Sequence, residues 1–206
     1  MDTTFKSAFG IKLPQKYTPL NVIPSEHLES YALLTQKLTR KRKKLFCPSL
    51  YKRYCLFKKR IQREGDAFIR DRFEIKKHPK YPEIGVGLFA KTRFKKGEIL
   101  GLYTGEVNEL KPPLTLRVSD LDYAFILIPG SPWLVNSKKM ANYTAFANDP
   151  GHTALLNLFS TNTIDPEGHP DTIYFANRAI QPGEEIFASY GPGYWNSRRI
   201  LPYLLL

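Results

Sequence analysis

The chain has 206 residues, 42% of them hydrophobic, and a formal net charge of +12, enough for one full core with an appendage. No apolar run approaches the roughly 20 residues that span a bilayer, and no apolar leader opens the sequence, so a soluble protein in a reducing compartment is expected, with no membrane contact. Two cysteines, Cys47 and Cys55, and four scattered histidines (His27, His78, His152, His169) exclude a disulfide scaffold and a cysteine-rich zinc cluster, and predict no metal site.

Residues 1–24 hold Pro14, Pro19 and Pro24 without periodicity, and are expected to be extended or irregular. Ser25 is a candidate N-cap, with Glu26 and Glu29 in the first turn, where a helix favours negative charge. Leu28, Tyr31, Leu34 and Leu38 recur at three- and four-residue spacing and predict an amphipathic helix. After Pro48 a second stripe, Leu50, Tyr54, Phe57 and Ile61, predicts another helix, stopped at Gly65. From Lys37 to Arg63 there are twelve Lys/Arg and no acid, which leaves the rest balanced at 19 basic against 19 acidic residues. All of the net charge therefore sits in one segment. Its field favours polyanions, so Arg40, Lys41, Arg42, Lys43, Lys44, Lys58, Lys59 and Arg60 are expected to form a nucleic-acid patch. The same run could serve instead as a nuclear-import address or a solubilising surface. Residues 1–70 are read as a basic, largely helical arm.

From Phe73 the pattern changes to short apolar runs separated by Gly, Pro, Asn or Asp. Residues 84–90, 99–107, 123–128, 133–135, 155–159, 173–176 and 185–189 are the predicted strands. They do not alternate with long helices, which disfavours a doubly wound parallel sheet. Gly85-Val86-Gly87-Leu88-Phe89-Ala90 fits a dinucleotide-binding fingerprint, with Glu106 about 20 residues on. However, Lys95-Lys96-Gly97 puts a turn where that fingerprint needs a helix. Near the end, Gln181-Pro182-Gly183 supplies a turn that is expected to join residues 173–176 and 185–189 as a hairpin. Tyr190 then lies on the lip of a glycine-rich bend, placed to project its hydroxyl into a cavity.

Three motifs in order resemble a SET domain: Gly85-Val86-Gly87-Leu88-Phe89-Ala90 with Lys96-Gly97-Glu98 and Tyr103-Thr104-Gly105; residues 142–148 with Asn157; and Gly183-Glu184-Glu185-Ile186 through Tyr190-Gly191. The resemblance covers residues 73–195. It implies a mostly-β fold of small sheets, the SET β-clip, with a knot-like C-terminal threading. With the basic helical arm the whole is α+β. The expected organisation is 1–70 arm, 71–195 SET-like domain, and 196–206 an apolar tail closing the cofactor site.

The resemblance also implies a protein-lysine methyltransferase that uses S-adenosylmethionine, acting on a protein substrate such as a histone, in the nucleus. Carried over residue by residue, Tyr190, Tyr123 and Tyr103 would be catalytic. Tyr103, Tyr123, Phe125 and Phe146 would wall a lysine channel. Gly85, Gly87, Leu88, Phe89, Asn148, Asp149, Tyr190 and Trp195 would hold the cofactor, with Trp195 over the adenine or, alternatively, anchoring the 200–206 tail. The sequence departs from the family pattern in three places. Asp149 stands where histidine is usual and Ala145 where arginine is usual. No cysteine cluster follows Tyr190. Ala188 occupies a position where an aromatic residue is often linked to the number of methyl groups added. If the family geometry holds, Asp149→His is expected to be tolerated. The competing function class is an inactive SET-like module that binds chromatin or nucleic acid through the arm; DNA or nucleosome contact is common to both readings.

Overall fold

Short apolar runs bounded by turns make short strands, and short strands make several small sheets rather than one wide one. The computed structural model describes residues 16–41, 48–80, 85–110 and 122–198. The chain opens with β1 (Lys16–Tyr17) and then α1 (Leu28–Lys41), α2 (Pro48–Glu64) and α3 (Ala67–Arg70). Strands follow as β2 (Phe73–Lys77), β3 (Val86–Ala90), β4 (Ile99–Tyr103), β5 (Glu106–Glu109), β6 (Ala124–Ile126), β7 (Trp133–Asn136), β8 (Met140–Ala141), β9 (Leu158–Ile164) and β10 (Pro170–Ala176). A last helix, α4 (Pro192–Arg198), ends the described chain. The sheets are β2–β3, β4–β10–β9 and β5–β7–β6, all antiparallel, with a parallel pair β1–β8. This is the mostly-β fold of small sheets with a helical N-terminal region that the sequence predicts.

Several boundaries move, each for a local reason. The run 99–107 splits into β4 and β5, which join different sheets at Gly105. A Cβ there would collide with the Asn136 backbone, so only glycine lets the strands part so close to β7. The strand expected from residue 155 begins at Leu158, because Thr153–Leu155 form a 3-10 turn whose Ala154 N–H donates to His152 Nδ1 at 3.2 Å. The glycine-rich 85–90 stretch is β3 rather than a turn opening a helix, which removes the dinucleotide reading. Cys47, Arg42, Lys43, Lys44 and the 200–206 tail lie outside the described residues.

The predicted hairpin of 173–176 with 185–189 does not form. The turn itself is present: Gly183 has φ +86° and the Glu184 N–H donates to the Gln181 carbonyl at 3.1 Å. But β10 already pairs with β4 on one edge and β9 on the other, so no edge is left for residues 185–189. They pair instead with chain far upstream. Gly183 N–H donates to Ala90 O at 2.7 Å, Ala90 N–H to Glu184 O at 2.9 Å, and Ile186 N–H to Leu88 O at 2.7 Å. On the opposite side Phe187 bridges Asn148, and Leu158 N–H donates to Phe187 O at 3.1 Å. The closing segment is thus threaded between β3 and residues 148–158.

The helices share the core with the sheets. Tyr31 and Ile69 join the main cluster with Phe73, Leu100 and Tyr174. Tyr54 and Ile61 of α2 join a second with Ile99, Leu102 and Ile173. The α2 stripe holds as predicted, with Leu50 and Phe57 half-buried, whereas Leu28 at the start of α1 is 55% exposed.

Lys58 overturns its sequence assignment. It is buried, and its Nζ meets Asp171 Oδ2 at 2.5 Å and Asp165 Oδ2 at 2.7 Å. Tyr54 donates to the same Asp171 oxygen at 2.5 Å, and Asn21 Nδ2 to the other at 3.1 Å. Lys58 lies one turn beyond Tyr54, so both face the β9–β10 hairpin and neither is free for phosphate. Burial by itself lowers the lysine's pKa, but the two carboxylates outweigh it and leave it raised. A folded-state pKa above the unfolded value of about 10.4 means this stabilisation is intact at neutral pH and lost only as pH rises through the raised value. Lys58→Met should destabilise the fold by about 3–5 kcal/mol, because it strands two buried carboxylates. Urea unfolding followed by circular dichroism measures this, and a loss under about 1 kcal/mol, the range of an exposed pair, would contradict a buried one.

Candidate functional site

The closing segment is clipped by two asparagines. Asn157 Nδ2 donates to Glu185 O at 2.7 Å while its Oδ1 accepts the Phe187 N–H at 2.9 Å. An amide suits this because it donates and accepts at once. Asn148 donates from Nδ2 to Val86 O at 3.1 Å and to Glu185 Oε1 at 3.0 Å, and its backbone carbonyl accepts the Ala188 N–H at 2.9 Å. Asn142 fixes the motif from below: it donates to Leu102 O at 2.8 Å and caps the 3-10 helix Tyr143–Phe146 by accepting the Thr144 N–H at 3.0 Å.

Glu185 is the charged centre of this clip. Its Oε2 lies 2.9 Å from His78 Nε2. Burial raises its pKa, against the opposing pull of Asn148 and His78. Gly87 exists to admit it: a Cβ on Gly87 would collide with Glu185 Oε1 and stand 3.2 Å from Asn148 Nδ2. Gly85, at φ +87°, is exposed, and a Cβ there would meet nothing within 4 Å.

Where the closing segment ends, a cavity of about 50 Å³ is lined by five tyrosines, Tyr103, Tyr123, Tyr174, Tyr190 and Tyr194, by Phe125, Ala124, Ala145 and Ala147, and by one acidic residue, Asp122. Tyr103 donates its hydroxyl to Tyr123 O at 2.8 Å and so holds the 122–123 turn over the cavity. Its ring lies 5.6 Å from Phe125 and 5.7 Å from Tyr174. Tyr190 as a residue is 38% exposed. Burial around its hydroxyl nonetheless pushes its pKa upward, with Tyr194, Tyr103, Tyr123 and Asp149 adding to the effect. The phenol is therefore protonated at neutral pH, able to donate and accept.

The structure brings Tyr103, Tyr123, Phe125 and Tyr190 together around one cavity. It does not bring in Phe146, which is buried in the core while its neighbours Ala145 and Ala147 line the cavity. Leu88 and Phe89 also point elsewhere, with buried side chains and a strand paired on both edges. Their open end is at Gly85. Asp149 accepts the Tyr190 N–H at 2.7 Å and the Trp195 Nε1–H at 3.1 Å through Oδ2, and the Gly151 N–H at 2.8 Å through Oδ1. Asp122, Ala124, Tyr174 and Tyr194 are among the lining residues that sequence reasoning passed over. Tyr174 was legible in part, since it falls in the predicted strand 173–176; it is buried and pairs with Gly101 across the sheet. Tyr194 had no signal beyond its place after two glycines.

A closing segment threaded back onto the first motif, with a tyrosine-lined cavity at its end, defines a SET-type domain. The SET domain family model matches residues 85–191, more than half of the chain, and the chain belongs to that family. No curated protein matches it by sequence. Among solved structures it is similar to ATXR5, crystallised in complex with histone H3.1 mono-methylated on an arginine, at 16% identity and a TM-score of 0.66, over 87% of this chain and 82% of that one. It is also similar to a chain of an active polycomb repressive complex 2 in the basal state, at 22% identity and 0.52, over 64% and 16% respectively. A humanized mutant of the Chaetomium thermophilum complex bound to the inhibitor GSK343 gives 22% and 0.50, over 61% and 16%. At these identities the likeness establishes the fold. The chain spans about one-sixth of the polycomb chains it matches.

Gly87→Ala tests the packing on which the clip depends. Overpacking against Glu185 and Asn148 should destabilise the protein by about 1–3 kcal/mol. A melting temperature equal to that of the parent would mean the two side chains are not held there.

Proposed function

We propose that this protein transfers a methyl group from S-adenosylmethionine to the ε-amine of a protein lysine, with a histone as the expected substrate. The observation that carries this reading is the tyrosine-lined cavity ending at Tyr190. A volume of about 50 Å³ admits a slender side-chain stem and leaves room for no more than a few water molecules beside it. Members of the SET family are protein-lysine methyltransferases that use this methyl donor.

Methyl transfer to an amine is an in-line displacement, so its first demand is orientation. The lysine must arrive neutral although its free pKa is about 10.4. A narrow aromatic cavity disfavours the ammonium form by desolvation. Tyr190, kept protonated, can hydrogen-bond the amine through its oxygen and fix its approach. Tyr123 and Tyr103 keep the opposite wall in place through the 2.8 Å hydrogen bond between them. The amine's extra proton must leave before methyl transfer, and the cavity's protonated tyrosines are not the groups that take it.

The residues present fit the methyl donor. Gly85 offers open backbone, the Asn148 carbonyl oxygen is a suitable acceptor for its ammonium group, and the near-parallel rings of Tyr190 and Trp195, 6.0 Å apart, give an aromatic face. When bound, it supplies an electrophilic methyl group on a sulfonium.

The arm is proposed to hold DNA or nucleosome phosphates near the site, in the nucleus. Lys59 and Arg60 are exposed on α2, with Lys52 and Arg63 beside them. Arg40 and Lys41 end α1. Residues 1–70 are then the docking arm, 71–195 the catalytic body, and 196–206 its closing tail.

Tyr190→Phe should cut turnover by about 10²–10³ while leaving cofactor affinity nearly unchanged, the effect of losing one preorganised hydrogen bond. Single-turnover methylation and calorimetry measure the two quantities. Near-parental turnover would remove Tyr190 from the chemistry, and cofactor binding without any turnover in the parent protein would favour a binding module.

Replacing Arg40, Lys41, Lys59 and Arg60 with Gln should flatten the log–log salt dependence of DNA binding by about 0.9 for each phosphate no longer neutralised. Methylation of nucleosomes should drop while that of a free histone peptide persists. Equal losses on both substrates would end the docking idea.

A further inference from the structure

Asp149 stands where the family pattern has histidine, and the chemistry above gives its carboxylate no direct part. Its surroundings do. The bridge between Asn148 and Phe187, with the Ala188 N–H donating to Asn148 O at 2.9 Å, sets Asp149 beside the end of the closing segment. Oδ1 accepts the Gly151 N–H at 2.8 Å, an Asx turn that orients the side chain locally. Oδ2 then faces two donors, the Tyr190 N–H at 2.7 Å and the Trp195 Nε1–H at 3.1 Å. One oxygen joins the backbone of the cavity tyrosine to the indole of α4.

α4 depends on such ties. Its seven residues are too few to make a stable helix alone. Aromatic contacts add to this tie: Tyr190 to Tyr194 at 4.7 Å, Tyr194 to Trp195 at 5.0 Å, and Tyr190 to Trp195 at 6.0 Å. Both kinds of contact converge on Tyr190.

We infer that Asp149 is a positioning residue whose carboxylate couples the docking of α4, through Trp195, to the placement of the Tyr190 backbone, so that the cavity is complete only with the helix in place. The kinetic consequence rests on the lysine-cavity reading; the clasp itself does not. The arrangement needs a carboxylate. An asparagine has one acceptor oxygen, and turning it to Tyr190 and Trp195 sets its NH2 against the Gly151 N–H, donor against donor. A neutral histidine has one acceptor nitrogen and cannot serve both ends either. The residue that the family pattern would restore at this position is therefore the wrong one here, which reverses the sequence-based expectation for Asp149→His.

The experiment compares the full chain with Asp149→Asn, Asp149→His, Trp195→Phe and the double variant Asp149→Asn/Trp195→Phe, with Asp149→His/Trp195→Phe made as the quenching reference for Asp149→His. Acrylamide quenching of Trp195 is read as the difference between each protein and its Trp195→Phe partner, so that the buried Trp133 cancels. In folded Asp149→Asn and Asp149→His, Trp195 quenching should rise about two- to threefold and turnover fall about 10–100-fold, as expected for a misplaced reacting group. Trp195→Phe alone should lose about 3–10-fold, and the double variant should be little worse than Asp149→Asn, because the two changes break one shared interaction. In Trp195→Phe, where Asp149 is intact, the Tyr190 amide should exchange with solvent about tenfold faster; this arm decides the matter if the Asp149 variants fail to fold. Unchanged quenching, multiplying losses in the double variant, or an unchanged Tyr190 exchange rate would overturn the coupling. Quenching and exchange need no substrate, so a parent protein without methyl transfer would sink the functional reading and leave the clasp still decided.

Discussion

The structure depends on where residues 184–190 lie. Their backbone is bonded to β3 on one side and to residues 148–158 on the other, across sequence gaps that local propensity cannot bridge. Loop-closure entropy opposes such long-range pairing, and only a segment with partners on both edges repays it. Everything chemical follows from this placement. It puts Glu185 under Gly87, Ala188 beside Asn148, and Tyr190 at the mouth of the cavity. The two asparagines hold it there, each supplying a donor and an acceptor at points where a strand would otherwise end unpaired.

A second constraint ties the helical region to this body. Lys58 reaches from α2 into the β9–β10 hairpin, where Asp165 and Asp171 are themselves satisfied by the His169 N–H, Asn21 and Tyr54. A buried charge is tolerable only with partners of this quality. The hairpin it grips contains Tyr174, whose ring lines the cavity. The basic arm is therefore more than a charged surface laid on a finished domain; one of its lysines helps to hold the sheet on which a cavity wall stands.

The cavity is walled chiefly by phenols, with Asp122 the one acidic residue on its lining. Tyr103, Tyr174 and Tyr190 all have pKa values raised chiefly by burial, so their hydroxyls stay protonated. Beside the cavity, Glu185 with His78, and Asp149, hold backbone and side chains in position. Walls made chiefly of protonated phenols suit the proposed reaction, whose substrate must shed its charge before it enters.

Much of this was legible in the sequence, because it depends on local chemistry. Turn residues and short apolar runs determine that strands are short, the stripe of Leu50, Tyr54, Phe57 and Ile61 determines which face of α2 is buried, and the spacing of three motifs determines the family. Tyr190 and Asn148 could be named as site residues from those motifs alone. What only the tertiary structure decided is which edges pair and which polar groups meet. The supposed hairpin partner of β10 went to β3 because both edges of β10 were taken. Lys58, indistinguishable by composition from Lys59, became a core cation because it lies one turn after Tyr54 on the face that meets two aspartates. Asp149, which by pattern alone looked like a defect, accepts Tyr190 and Trp195 because the fold places both donors on one oxygen. Such meetings join residues 40 to 120 positions apart, and no periodicity or propensity along the chain encodes them.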